Sequence, residues 1–144
     1  MSLKDIPVKL DVGAGFDGSE PTGLVMALLH EVADHLQTVA NGGERQVVEL
    51  GNLPLNDADL RLLEERLGRG EVEAKISAAG ATEVFETAFP GVWWVKYLDG
   101  DDQVVTQQLE IGTVPMILEA HAEDIQASAQ RFPQLFEEID RNQH

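Results

Sequence analysis

Cysteine is absent from this chain of 144 residues. That excludes disulfides, a thiol nucleophile, and any iron–sulfur or zinc site built on thiolates. Basic residues are scarce as well: 10 Lys and Arg stand against 26 Asp and Glu, a formal net charge of −16. A general nucleic-acid binder needs basic surface to displace phosphate counterions, so no nucleic-acid partner is expected. Repulsion from anionic lipid argues against a membrane partner in the same way. No apolar run approaches the roughly 20 residues of a membrane span. The opening residues, MSLKDIPVKLDVGAG, lack the charged-then-apolar order of a signal peptide, so a cytoplasmic location is expected. Aromatics make up only 6% of the chain, yet two of them, Trp93 and Trp94, are adjacent and are its only tryptophans.

What is present reads as one domain with an arm. Residues 1–22 carry glycines, prolines and mixed charges and read as an extended N-terminal arm; residues 23–144 read as a single α+β domain. Val25, Leu28, Leu29, Val32, Leu36 and Val39 recur at three- and four-residue steps, a helical stripe that Asn41-Gly42-Gly43 stops. A short β-like segment follows at 46–50. Asn56 then reads as the N-cap of a second helix, with Asp57 and Asp59 in its first turn, Leu60, Leu63 and Leu67 on its buried stripe, and Gly68 at its end. Between 72 and 111 four strands alternate with short turns, including a hairpin signal at Asp99-Gly100. Beyond Pro115, Ile125, Ala129 and Phe132 share a helical face, Pro133 breaks or kinks the run, and Leu135, Phe136 and Ile139 continue it. The expected architecture is a two-layer α+β sandwich: an antiparallel four-stranded meander with amphipathic helices packed mainly on one face.

Three motifs suggest chemistry and do not sustain it. In LLHEVADHL, His30 and His35 are five apart, one residue more than the zinc-protease motif allows, and so diverge around a helix. His30 and Asp34 have a usable spacing, but two ligands make a poor metal site. Gly13, Gly15 and Gly18 match G-x-G-x-x-G without the apolar strand before it or the helix opening inside it. Asp99, Asp101 and Asp102 lack the spacing of a calcium loop. No catalytic residue, metal or cofactor is therefore expected.

The tryptophan pair poses a sharper question, because adjacent strand residues point to opposite faces. Trp93, Val95 and Tyr97 form a face free of charge, expected to lie under the helices. Val92, Trp94, Lys96 and Leu98 form the other, where Lys96 implies contact with water. Trp94, with Lys96 and Leu98, is the expected partner-binding surface, since tryptophan is enriched at interface hot spots.

Five segments in order carry a resemblance: LLHEVADHL (28–36), VVELGNLPL (47–55), LGRGEVEAKI (67–76), FETAFPGVWWV (85–95) and LEIGTVP (109–115). Together they resemble the HupH/HyaF hydrogenase expression proteins over residues 24–118, and less clearly through EDIQAS. The resemblance implies a non-enzymatic chaperone or adaptor in the maturation of nickel–iron uptake hydrogenases. Its implied partners are the precursor of the iron–sulfur small subunit, before export by the twin-arginine route, and other maturation factors. Family members usually hold two related units; this chain has room for one, which raises a homodimer as the working form. Two other readings stand beside it: a generic acidic adaptor unrelated to hydrogenase, and a small metal-dependent hydrolase using His30 and Asp34.

Overall fold

A computed structural model describes residues 20–78 and 80–143. The glycine motif at 13–18 and most of the expected arm lie outside those residues. Contacts divide the chain into two compact units, one ending at Thr113 and the other comprising Val114–His144.

In the first unit the order is α1 (Leu24–Ala40), β1 (Gln46–Glu49), a 3-10 turn (Leu50–Asn52), α2 (Asp57–Leu67), β2 (Glu73–Ala78), β3 (Gly80–Glu86), β4 (Val92–Leu98) and β5 (Val104–Ile111). The four expected strands pair antiparallel, each with the next. The sheet has a fifth: β1 pairs antiparallel with β5, so the order is β1-β5-β4-β3-β2. The class stands, and the strand count is corrected from four to five. Four residues are too short for alternation to declare a strand; only the edge that β5 leaves open makes β1 one.

Helix α1 buries Val25, Leu28 and Val32 of the stripe, and Leu29, Leu36 and Val39 pack partly buried against the same core. Gly42 follows it with a φ of +89°, the left-handed turn that ends a helix. Helix α2 starts at a capping box. The Asn56 side chain accepts from the Asp59 N–H at 2.8 Å, and Asp59 accepts in return from the Asn56 N–H at 3.0 Å. Asp59 does more than cap. It is fully buried, and its carboxylate also accepts from the Thr22 N–H at 2.6 Å and the Thr22 hydroxyl at 3.0 Å. The last residue of the expected arm is thus tied to the second helix. Burial alone would raise the Asp59 carboxyl; the hydrogen bonds from Asn56 and Thr22 outweigh it and hold the group below its usual value.

The core packs Val25, Leu28, Val32, Leu63 and Leu67 of the two helices against Val48, Phe85, Val92, Trp94, Leu109 and Ile111 of the sheet. The tryptophan faces are therefore the reverse of the expectation. Trp94 lies under the helices at 1% exposure; Trp93, at 5%, lies on the opposite face. That face is buried too, through Val84 and Val95. There the Trp93 Nε1–H donates to the Gly112 carbonyl at 3.2 Å, and Arg45 Nε stands 3.0 Å from the buried Glu110.

The second unit holds a 3-10 turn (Met116–Leu118), α3 (Ala122–Arg131) and α4 (Gln134–Gln143). Phe132, between the two helices, keeps helical dihedrals, and its N–H donates to the Ser128 carbonyl at 2.8 Å. Pro133 then interrupts the run, as a residue without an N–H must. No helical residue of this unit is buried. Among the described residues, no helix is long and apolar enough to cross a membrane.

Candidate functional site

The resemblance-bearing segments LGRGEVEAKI and FETAFPGVWWV meet at one corner of the first unit. Helix α2 ends at Gly68, whose φ of +69° few side chains adopt. Two residues on, Gly70 donates its N–H to the Glu86 carbonyl at 2.7 Å, and a Cβ there would lie 2.6 Å from the Thr87 carbonyl oxygen. The two glycines let the chain turn tightly from helix to sheet and place Arg69 over the core's edge.

Arg69 lies 3.8 Å above the Phe85 ring, and Phe85 stacks in turn on Trp94 at 5.9 Å and 15°. Three flat groups are thus layered from solvent to core, an arrangement that suits a planar guanidinium. Trp94 closes the inner end, where its Nε1–H donates to Gln107 Oε1 at 2.9 Å. Lys96 runs alongside, its Nζ about as far from either ring (5.6 and 5.5 Å) and 3.2 Å from Glu64. Glu64 also receives Arg69 at 3.4 Å, so one carboxylate answers both cations.

This geometry explains the inverted faces. Lys96 marks the rim of the helix-covered face, reaching outward along apolar rings to a carboxylate on α2. Of the three residues expected to meet a partner, Trp94 is enclosed, Lys96 is paired, and Leu98 is half-buried at the open end of the strand.

An apolar surface does open beside this corner, between α1, the end of α2 and the turn before β4. Leu29, Val32, Leu36, Leu67 and Phe89 line a groove of about 350 Å³, with Arg66 at its edge. Phe89 is 52% exposed. Sequence reasoning passed over it in favour of Trp94, five residues further on. The available signal was its position: an aromatic directly before Pro90-Gly91 sits on a turn, where nothing covers it by default.

His30 is exposed, and His35 Nε2 lies 3.2 Å from Glu31 on the same helix. Among the described residues no three His, Asp or Glu side chains gather closely enough to hold a metal ion.

Comparison with known proteins gives a consistent picture. Residues 25–139 match the family described as HupH hydrogenase expression protein, C-terminal conserved region. The chain is 33% identical over 127 residues to the hydrogenase expression/formation protein HoxQ of Azotobacter vinelandii, covering 85% of this chain and 45% of that protein. It is 33% identical over 113 residues to the hydrogenase expression/formation protein HupH of Rhodobacter capsulatus, covering 78% and 41%. The solved structure of the hydrogenase expression protein HupH from Thiobacillus denitrificans superposes with a TM-score of 0.74 at 36% identity, over 83% of this chain and 98% of that one. The chain spans less than half the length of the curated relatives it matches.

Proposed function

Because the chain belongs to the HupH family of hydrogenase expression proteins, we propose that it is a non-enzymatic accessory factor in nickel–iron hydrogenase maturation, acting in the cytoplasm as a chaperone or adaptor. The observation that carries this reading is the family match over residues 25–139, backed by a solved relative of the same fold. The proposed client is the small-subunit precursor, which other maturation factors would accompany. A chain without cysteine has no thiolate to offer a cluster, so its part would be to shield or present the client rather than to ligate metal.

The groove at Phe89 replaces Trp94 as the proposed client contact. An exposed aromatic beside aliphatic walls, with a cation at the edge, suits an apolar client segment.

Capture of a small-subunit precursor by the purified full chain tests this. Phe89→Asp is expected to weaken capture about tenfold or more, chiefly through faster dissociation. The net charge of −16 should attract an arginine-bearing signal segment. Association is then expected to slow as the Debye length falls from about 10 Å at 0.1 M salt to about 3 Å at 1 M. Failure to recover a hydrogenase subunit or a maturation factor would defeat the proposal. Capture indifferent to Phe89 would defeat the groove alone.

A further inference from the structure

We infer that the groove beside Phe89 takes a peptide segment in which apolar side chains stand next to a carboxylate, and that Arg66 reads the carboxylate. This rests on the groove being the client contact and adds the chemistry of its occupant.

The groove is shaped for a short apolar stretch. Its floor is the buried trio Val32, Leu67 and Val92, one residue from each element that borders it. Leu29 and Leu36 line it from α1, about two helical turns apart, and Phe89 enters from the turn before β4. A volume of about 350 Å³ admits a few side chains of a partner and no more.

Charge selects the occupant. The chain carries 26 Asp and Glu, yet none of those described lines this groove, whose one charged side chain is Arg66. Arg66 is also the one described cation of the first unit with no ion pair to a described residue. Arg45 stands on Glu110, Arg69 and Lys96 share Glu64, Lys75 meets Glu83, and Arg61 is partnered as well. Its own helix offers Arg66 no acid. One turn away stand Leu62, Leu63 and Arg69, while Glu65, directly before it, points to another side. A cation in the last turn favours its helix whichever way the side chain leans. Lining an apolar groove is a second use. An incoming carboxylate gives this guanidinium a charge-assisted, two-pronged partner, whereas a lysine or arginine brought to the same place meets like charge. Basic residues elsewhere on a client still feel the acidic surface at a distance.

Two short dye-labelled peptides test this on the full chain by fluorescence anisotropy. Both carry the same Leu-Leu-Phe core, flanked by Glu in one and by Lys in the other. The wild-type chain should bind the Glu peptide about tenfold or more tightly. Arg66→Gln should level the two, Arg66→Glu should reverse their order, and Phe89→Asp should weaken both. The urea midpoint of Arg66→Gln should stay near that of the wild type, since an exposed side chain without an ion pair is being changed. Equal binding of the two peptides, or a preference that survives Arg66→Glu, would overturn the inference. Binding of neither peptide would mean that the chain itself or a second copy fills the groove, and would overturn it too. Capture of a hydrogenase subunit that depends on Phe89 and ignores Arg66 would leave the proposed function standing without this specificity. A Glu preference reversed by Arg66→Glu, with no hydrogenase subunit captured, would keep the specificity and remove the proposed function.

Discussion

Trp94→Ala is expected to lower the unfolding free energy by about 3–5 kcal/mol, the range for truncating a large buried aromatic. Three losses coincide at this position. The indole volume leaves a cavity beside Leu63, Leu109 and Ile111 in the tightest part of the core. Phe85 loses the ring it stacks on, so the layer beneath Arg69 is no longer supported. The half-buried Gln107 loses the donor it accepts from at 2.9 Å. Against a typical domain stability of about 5–15 kcal/mol, a loss of that size can decide whether the chain folds. Urea denaturation followed by the emission of the remaining Trp93 measures it directly. A change below about 1 kcal/mol would mean that Trp94 is on the surface after all, and would restore it as a partner contact.

Asp59→Ala is the second large effect, expected to cost about 3 kcal/mol. The buried carboxylate accepts from Thr22 twice and from Asn56 once, and alanine leaves all three donors without it. Asp59→Asn keeps an acceptor oxygen and should cost less than half as much. The sign of the pH dependence follows from the depressed carboxyl. Its contribution is fully present above the ordinary aspartate value of about 3.9 and is lost as pH falls through the lower value of the folded protein. The gap between wild type and Asp59→Ala should therefore shrink on acidification below that point, and Asp59→Asn should lose part of the acid slope. Urea midpoints taken from pH 7 down to pH 3 would show it. A gap that widens in acid would contradict the hydrogen-bond account.

Local signals placed most of the elements and missed the relations between them. The stripe of α1, the Asn56 cap and the Gly68 stop are each written within one turn of helix, and each holds. The Asp59–Thr22 bonds are not local, since they join residues far apart in the chain, so composition near either residue does not betray them. Strand β1 belongs to the same class: its partner β5 is at the other end of the unit. The tryptophan error has a different origin. Reading β4 alone, Lys96 counted as a solvent mark, whereas it is an apolar stem leading to Glu64. The neighbouring strand held the answer. Leu109 and Ile111 alternate with Gln108 and Glu110, and the hairpin pairs Leu109 with Trp94 and Glu110 with Trp93. Two strands read in register assign a face that one strand cannot. Phe89 escaped because attention to the larger aromatic outweighed the turn chemistry beside it.

The placement of β1 at the far edge of the sheet also has a bearing on the order of assembly. Strands β2 to β5 form by three successive hairpins, each closing a short loop. Joining Val48 to Leu109 instead closes a loop containing α2 and the whole meander. Loop-closure entropy makes that the slow contact to win, and it comes with little reward until the meander exists to receive it. The meander is then the natural nucleus, with β1 docking late together with the helix that precedes it. Until it docks, the β5 edge is an open row of N–H and C=O groups beside the apolar face that α1 will cover. The newly made chain thus passes through a stage at which it is itself exposed to misassociation, and its own acidic surface is the feature that holds like molecules apart during it.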